Sequence, residues 1–344
     1  MRYFRLNQLI CIALALAFTG CAGNGLSEKT PWPTDGWEIR EQDGIGDDLL
    51  EEIQRSSLQV DGLLVVHRGK IVLEEYYSGY TANTLHKTYS ITKSVLSALV
   101  GIALEQGCIS SLDDPVLGYF PDRQFLNLNI EKESITIEHL LTMSSGLYFD
   151  FDQMLAQMDW IQYVLDQPLA HPPGESWYYS DGGPQVLSAI LTRACGMDTR
   201  DLAEEYLFRP LGITAYNWQR GAGGYYNGSW GLDLSPRDIA KIGYLYLKDG
   251  VWEQARIFPE DWFALSSQSY FQVPDPLEPW ELSYGYLWWV HEDGALAAHG
   301  LKGQFLYLYP EKDLIVVITG DIPESAFAQP QIWIREYILP TLCD

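Results

Sequence analysis

Ser90 and Lys93 stand three residues apart where a helix should begin, in Thr88-Tyr89-Ser90-Ile91-Thr92-Lys93-Ser94. Residues i and i+3 of a helix share a face, so this hydroxyl and this amine can meet. A serine hydroxyl is a poor nucleophile at neutral pH and needs a base beside it. A lysine whose pKa is lowered by burial can be that base. The start of a helix also offers unpaired N–H groups and a partial positive charge, which suit an oxyanion. A capped helix start with a solvated lysine would carry the same four letters, so the pair gains meaning only from its surroundings.

Two later stretches could join it. Pro172-Pro173-Gly174-Glu175-Ser176-Trp177-Tyr178-Tyr179-Ser180-Asp181-Gly182-Gly183 is a turn-rich loop ahead of a helix. A tyrosine there can carry protons if a nearby cation favours its phenolate, although a packed tyrosine is the commoner fate. Ala298-His299-Gly300-Leu301-Lys302-Gly303 lies at a strand edge, where glycine lets backbone approach a ligand closely. A plain hairpin would read the same. His139 and His171 have no evident partner and read as structural.

These groups need a scaffold. Strand signals fall at 62–67 and 70–77, joined by Arg68-Gly69, and return at 284–290, 295–299, 305–309 and 314–319. Helical patterns fill the middle, at 90–105, 135–143, 154–166, 185–194, 199–207, 236–248 and 260–267, and a closing helix is expected at 332–339. The fold class implied is α+β, with one antiparallel sheet built from both chain ends (59–89 and 280–344) and a helical region (90–279) inserted between. Ser90 falls at the first junction of the two, a common place for a site.

Composition narrows the partners. The chain has 344 residues and a net charge of −24, which disfavours a basic nucleic-acid groove or electrostatic adhesion to anionic lipid. No HExxH, P-loop or GxGxxG pattern occurs, and no metal, nucleotide or other cofactor is expected. Arg2 and Arg5 precede an apolar run at 9–18 too short for a convincing membrane span. The run ends in Phe18-Thr19-Gly20-Cys21, which resembles a bacterial lipobox. Residues 1–20 then read as a lipoprotein-type signal peptide, Cys21 as the lipidated residue, 21–58 as a tether and N-terminal segment, and 59–344 as the domain. The implied location is the cell envelope. Cys108, Cys195 and Cys343 show no metal-like spacing, and buried free thiols are the default expectation.

Taken together in this order, the three stretches resemble the serine beta-lactamase and penicillin-binding protein superfamily, in its class C-like branch with esterases and 6-aminohexanoate-dimer hydrolases. Supporting segments are 137–147, Pro210-Leu211-Gly212-Ile213, 234–240 and Tyr284-Gly285-Tyr286-Leu287-Trp288-Trp289. The resemblance implies the beta-lactamase/DD-peptidase fold, with Ser90 as acylated nucleophile and Lys93 as its base. It implies that Tyr179, in better register than Tyr178, relays protons, and that the backbone N–H groups of Ser90 and Leu301 form the oxyanion hole. Asp181 replaces the family's Asn, and Ala298-His299-Gly300 replaces Lys-Thr-Gly. Asp181, His299, Gly300 and Lys302 are then expected to contact substrate, with Lys302 a potential substitute for the missing lysine. Tyr148, Phe149, Trp160, Trp177 and Trp289 could line an apolar pocket or simply pack the core. The activity implied is cleavage of a small ester, amide or peptide-like substrate. The alternatives are a lactamase or D-Ala-D-Ala-type peptidase, and a non-catalytic binding protein on the same fold.

Overall fold

The computed structural model describes residues 32–40, 45–273 and 282–342. The expected signal segment and Cys21 lie outside them. No described helix is long and apolar enough to cross a membrane.

The main sheet contains β1 (Gln59–His67), β2 (Lys70–Tyr76), β3 (Phe271–Val273), β4 (Leu282–Tyr284), β5 (Trp289–His291), β6 (Leu296–Gly300), β7 (Gln304–Tyr309) and β8 (Leu314–Asp321). Their order is β2-β1-β8-β7-β6-β5-β4-β3, antiparallel throughout. The two chain ends meet at the centre, where β1 pairs with β8 from Gln59↔Asp321 to His67↔Leu314. Both strands are buried on both faces, which is why they read as continuous apolar runs rather than alternating ones.

The helices that frame the site are α1 (Asp47–Ser56), α2 (Ile91–Glu105), α3 (Gly182–Cys195), α4 (Pro236–Leu247) and α5 (Ala328–Trp333). One face of the sheet packs on α2, α4 and the inserted helical region; the other packs on α1 and α5. Helix α2 is buried from Ile91 to Ala103, on all sides. A helix buried on all sides belongs to a core, and each fully buried Val, Leu or Ile contributes roughly 1.5–3 kcal/mol. That burial makes α2 a rigid mount for the residues at its start.

Several expectations need correction. Within 21–58, expected as a tether and N-terminal segment, Trp37 is buried and α1 places Leu49 and Ile53 in the core against the C-terminal helix, so the packed part begins before residue 59. The single strand expected at 284–290 is two strands, β4 and β5, folded back through a turn closed by Gly285 N–H donating to Trp288 O at 2.9 Å. Gly285 is required there, because a Cβ would lie 2.0 Å from Ser266 O. Strand β3 was not foreseen. The helix expected at 154–166 is two, Phe151–Leu155 and Trp160–Asp166, because the Asp159 carboxylate accepts from the Ile161 and Gln162 N–H groups and starts a new helix. Cys108 and Cys195 are not free thiols. They form a disulfide that ties the far ends of α2 and α3.

Candidate active site

Ser90 occupies the cap position of α2, directly after Tyr89, whose backbone is left-handed (φ 46°). Such strain in a bulky residue persists only where the surroundings impose it. The Thr88 N–H and Oγ1 both donate to Leu232 O, at 3.0 and 2.7 Å, anchoring the approach to the helix. One turn on, Lys93 is 1% exposed and Nζ donates to three acceptors: Ser90 Oγ at 2.9 Å, Asp181 Oδ1 at 2.6 Å and Ser229 O at 3.1 Å. An ammonium has three N–H donors, and all three are used.

That geometry changes the expected role of burial. Burial does pull the Lys93 pKa down, but the Tyr179 oxygen and the Asp181 carboxylate outweigh it and hold the amine above its ordinary value. Lys93 is therefore an ammonium at rest, donating to Ser90 rather than accepting from it.

Asp181 sits just before α3 yet does not cap it; Ser180 Oγ accepts the Gly182 N–H at 3.0 Å instead. Its carboxylate is left to Lys93. Ser229 was missed by sequence reading. Its Oγ donates to Asp181 O at 2.6 Å, and its N–H and that of Trp230 donate to Asn227 Oδ1 at 2.9 and 3.0 Å. The Asn227-Gly228 pair signals this turn, but nothing local signals what the turn holds.

Tyr179, not Tyr178, faces the lysine. Its ring centroid is 5.0 Å from Lys93 Nζ and stacks on Trp289 at 5.7 Å, with Trp177 at 6.2 Å. Tyr178 is 56% exposed. Trp177 and Trp289 thus fix the catalytic-candidate tyrosine, whereas Trp160 and Phe151 pack on Trp230 and Phe149 lies beside Gly182. Tyr148 is partly exposed, and His139 takes the expected structural place, in a capping box with Thr136. A small pocket lined by His139, Met143, Ser145, Tyr178 and Ser180 opens nearby, but neither Ser90 nor Lys93 lines it.

The third stretch arrives at the end of β6. A Cβ on Gly300 would lie 2.3 Å from Thr88 O, so the close approach that glycine permits is to the chain's own backbone, two residues before Ser90. This brings the Leu301 turn to the start of α2. The remaining members of the stretch depart from expectation. The His299 ring is enclosed by Trp289, His291, Phe305 and Tyr307, with Nε2 buried and unpartnered among the described residues. Burial, reinforced by His291, pushes its pKa well below the usual imidazole value, so it is neutral. Lys302 turns to Asp321, 3.7 Å away on the surface. Among the described residues no cluster of His, Cys, Asp or Glu could hold a metal ion.

A hydroxyl and a carboxylate on a buried ammonium, with a tyrosine ring beside it, at a helix start beneath an antiparallel sheet, is the arrangement of an active-site-serine hydrolase. The family profile described as Beta-lactamase matches residues 47–334, and the chain belongs to that family of serine hydrolases. It is similar to the 6-aminohexanoate-dimer hydrolase of Paenarthrobacter ureafaciens, 25% identical over 305 residues, 80% of this chain and 76% of that one. It is also similar to penicillin-binding protein 4* of Bacillus subtilis, 22% identical over 336 residues, 82% of this chain and 72% of that one. Among solved structures, a Bacillus anthracis chain provisionally assigned as a 6-aminohexanoate-dimer hydrolase shares the fold with a TM-score of 0.72, 20% identity and 91% coverage of both chains.

Proposed function

We propose that this chain is an exported, lipid-anchored hydrolase that cleaves an ester or amide bond through an acyl-enzyme on Ser90. The observation that carries this reading is the contact of Ser90 Oγ with a buried, fully hydrogen-bonded Lys93. Ser90 Oγ attacks the carbonyl carbon, and its proton passes into the Lys93–Tyr179 cluster. The tetrahedral oxyanion is held by the N–H groups of Ser90 and Leu301. The cluster returns the proton to the leaving group, and water then releases the acyl group. Because Lys93 is an ammonium at rest, the reactive form is the one in which the Lys93–Tyr179 pair has lost a proton and can take that of Ser90. The relatives named for 6-aminohexanoate-dimer hydrolysis support an amide substrate.

Export rests on the signal-like start and Cys21. The Cys108–Cys195 disulfide supports it, since such bonds persist in oxidising compartments. Incorporation of labelled palmitate that persists in Cys21→Ala would overturn the anchor.

The likeness to a penicillin-binding protein favours a second reading, a peptidase or lactamase acting on peptidoglycan-like substrates. Acylation of Ser90 by penicillin would select it. The primary test is the intact mass after a fluorophosphonate probe, beside Ser90→Ala. One adduct on the native chain and none on the variant is expected; no adduct on folded native protein removes the hydrolase reading.

A further inference from the structure

The charge balance around Ser90 points beyond reaction type to substrate class, on the assumption that Ser90 is the acylated group. Three positions at the third stretch could have supplied a positive charge. Ala298 is apolar and 1% exposed, His299 is a neutral ring in an aromatic enclosure, and Lys302 is turned to Asp321. The cation that does reach Ser90 is Lys93, and Asp181 Oδ1 lies 2.6 Å from it. Where the family pattern has a neutral Asn, this chain has a carboxylate whose side chain is 23% exposed.

We infer that Asp181 neutralises the cation at Ser90 and thereby sets the site to accept acyl donors that are uncharged near the scissile bond, discriminating against those that carry a carboxylate there. The physical reason is direct. A substrate carboxylate approaching Ser90 meets the Asp181 anion, and the cation in contact with Ser90, Lys93, is already paired with it. An Asn at the same place would leave the Lys93 charge to attract it. Asp181 acts here through Lys93 and through the field it imposes, as a specificity-determining and positioning residue.

The test uses the full chain and two p-nitrophenyl phosphonate probes of equal length, one ending in a methyl group and one in a carboxylate. Labelling of Ser90 is followed by intact mass. The native protein is expected to react with the neutral probe about tenfold faster, and in Asp181→Asn that preference should fall to about parity or reverse. Asp181→Glu, which keeps the charge, should restore it. A merely structural role for Asp181 would slow both probes alike and leave their ratio unchanged. Equal rates on the native protein overturn the inference and spare the hydrolase reading, as does an unchanged ratio in folded Asp181→Asn. Failure of both probes to label native Ser90 removes the hydrolase reading and this inference with it.

Discussion

The first and third motif stretches lie against each other at Gly300 and Thr88, yet they are built on opposite terms. At the first, every N–H of the Lys93 ammonium has an acceptor, and the acceptors are themselves held, Asp181 by Ser229 and Ser229 by Asn227. At the third, His299 Nε2 is buried without a hydrogen-bond partner among the described residues, as are both ring nitrogens of the neighbouring His291 on β5. A saturated polar network is rigid and specific; a buried unpartnered imidazole costs stability and stays neutral. The first stretch is therefore organised for chemistry. The third brings its backbone to the start of α2, while the His299 ring packs among aromatics and Lys302 turns to the surface.

The contrast can be broken most severely at Lys93. Lys93→Met should lower kcat/KM by about 10³-fold or more, since it removes both the partner of Ser90 and the counter-charge of Asp181. Steady-state kinetics on any accepted ester or amide would check it, with circular dichroism to confirm folding. Next is Gly300→Ala. Its Cβ must push β6 from Thr88 O, displacing the Leu301 N–H, so kcat should fall by about 10²-fold with a smaller change in KM.

Asp181→Asn gives a subtler effect on the pH profile. Removing an anion beside Lys93 lowers its raised pKa, so the limb of the kcat/KM profile that reports Lys93 should move to lower pH. A limb that stays in place would mean that Asp181 does not set the charge of the lysine.

The third stretch yields the smallest effect. His299→Leu should leave kcat/KM within about threefold and alter stability little, because it replaces a ring whose Nε2 has no hydrogen-bond partner among the described residues with an apolar side chain. Acid sensitivity gives the sign. Burial depresses the folded pKa of His291 to about 4 and that of His299 well below 6.5. Between those values and about 6.5 the unfolded chain binds more protons, so stability falls as pH falls through this window. Melting temperatures measured from pH 7 down to 4.5 should drop less steeply in a His291→Gln, His299→Leu double variant than in the native chain.

Much of this arrangement is legible in sequence. The Ser90–Lys93 spacing, the apolar runs at both chain ends and the helix beginning at Ser90 follow from local periodicity and residue type. The resemblance to the family's motif also pointed to Tyr179 over Tyr178. Other features could not be read. The run at 284–290 looks like one strand because every residue in it but Gly285 suits a strand; only the packing of Gly285 against Ser266 reveals the fold-back. The role of α1 was hidden because its short apolar face acquires meaning only against the C-terminal helix. The disulfide joins residues 87 apart whose spacing carries no signature.

What the sequence determined by itself was the set of chemical groups and the local elements that carry them: a hydroxyl and an amine on one helical face, a tyrosine on a loop, a glycine at a strand end. Tertiary structure decided their charge and direction. It set Lys93 as an ammonium through Tyr179 and Asp181, both distant along the chain, and it turned His299 inward and Lys302 outward. Local periodicity is written along the chain, whereas protonation depends on the groups that arrive through space, and those are fixed only when the sheet and helices close around α2.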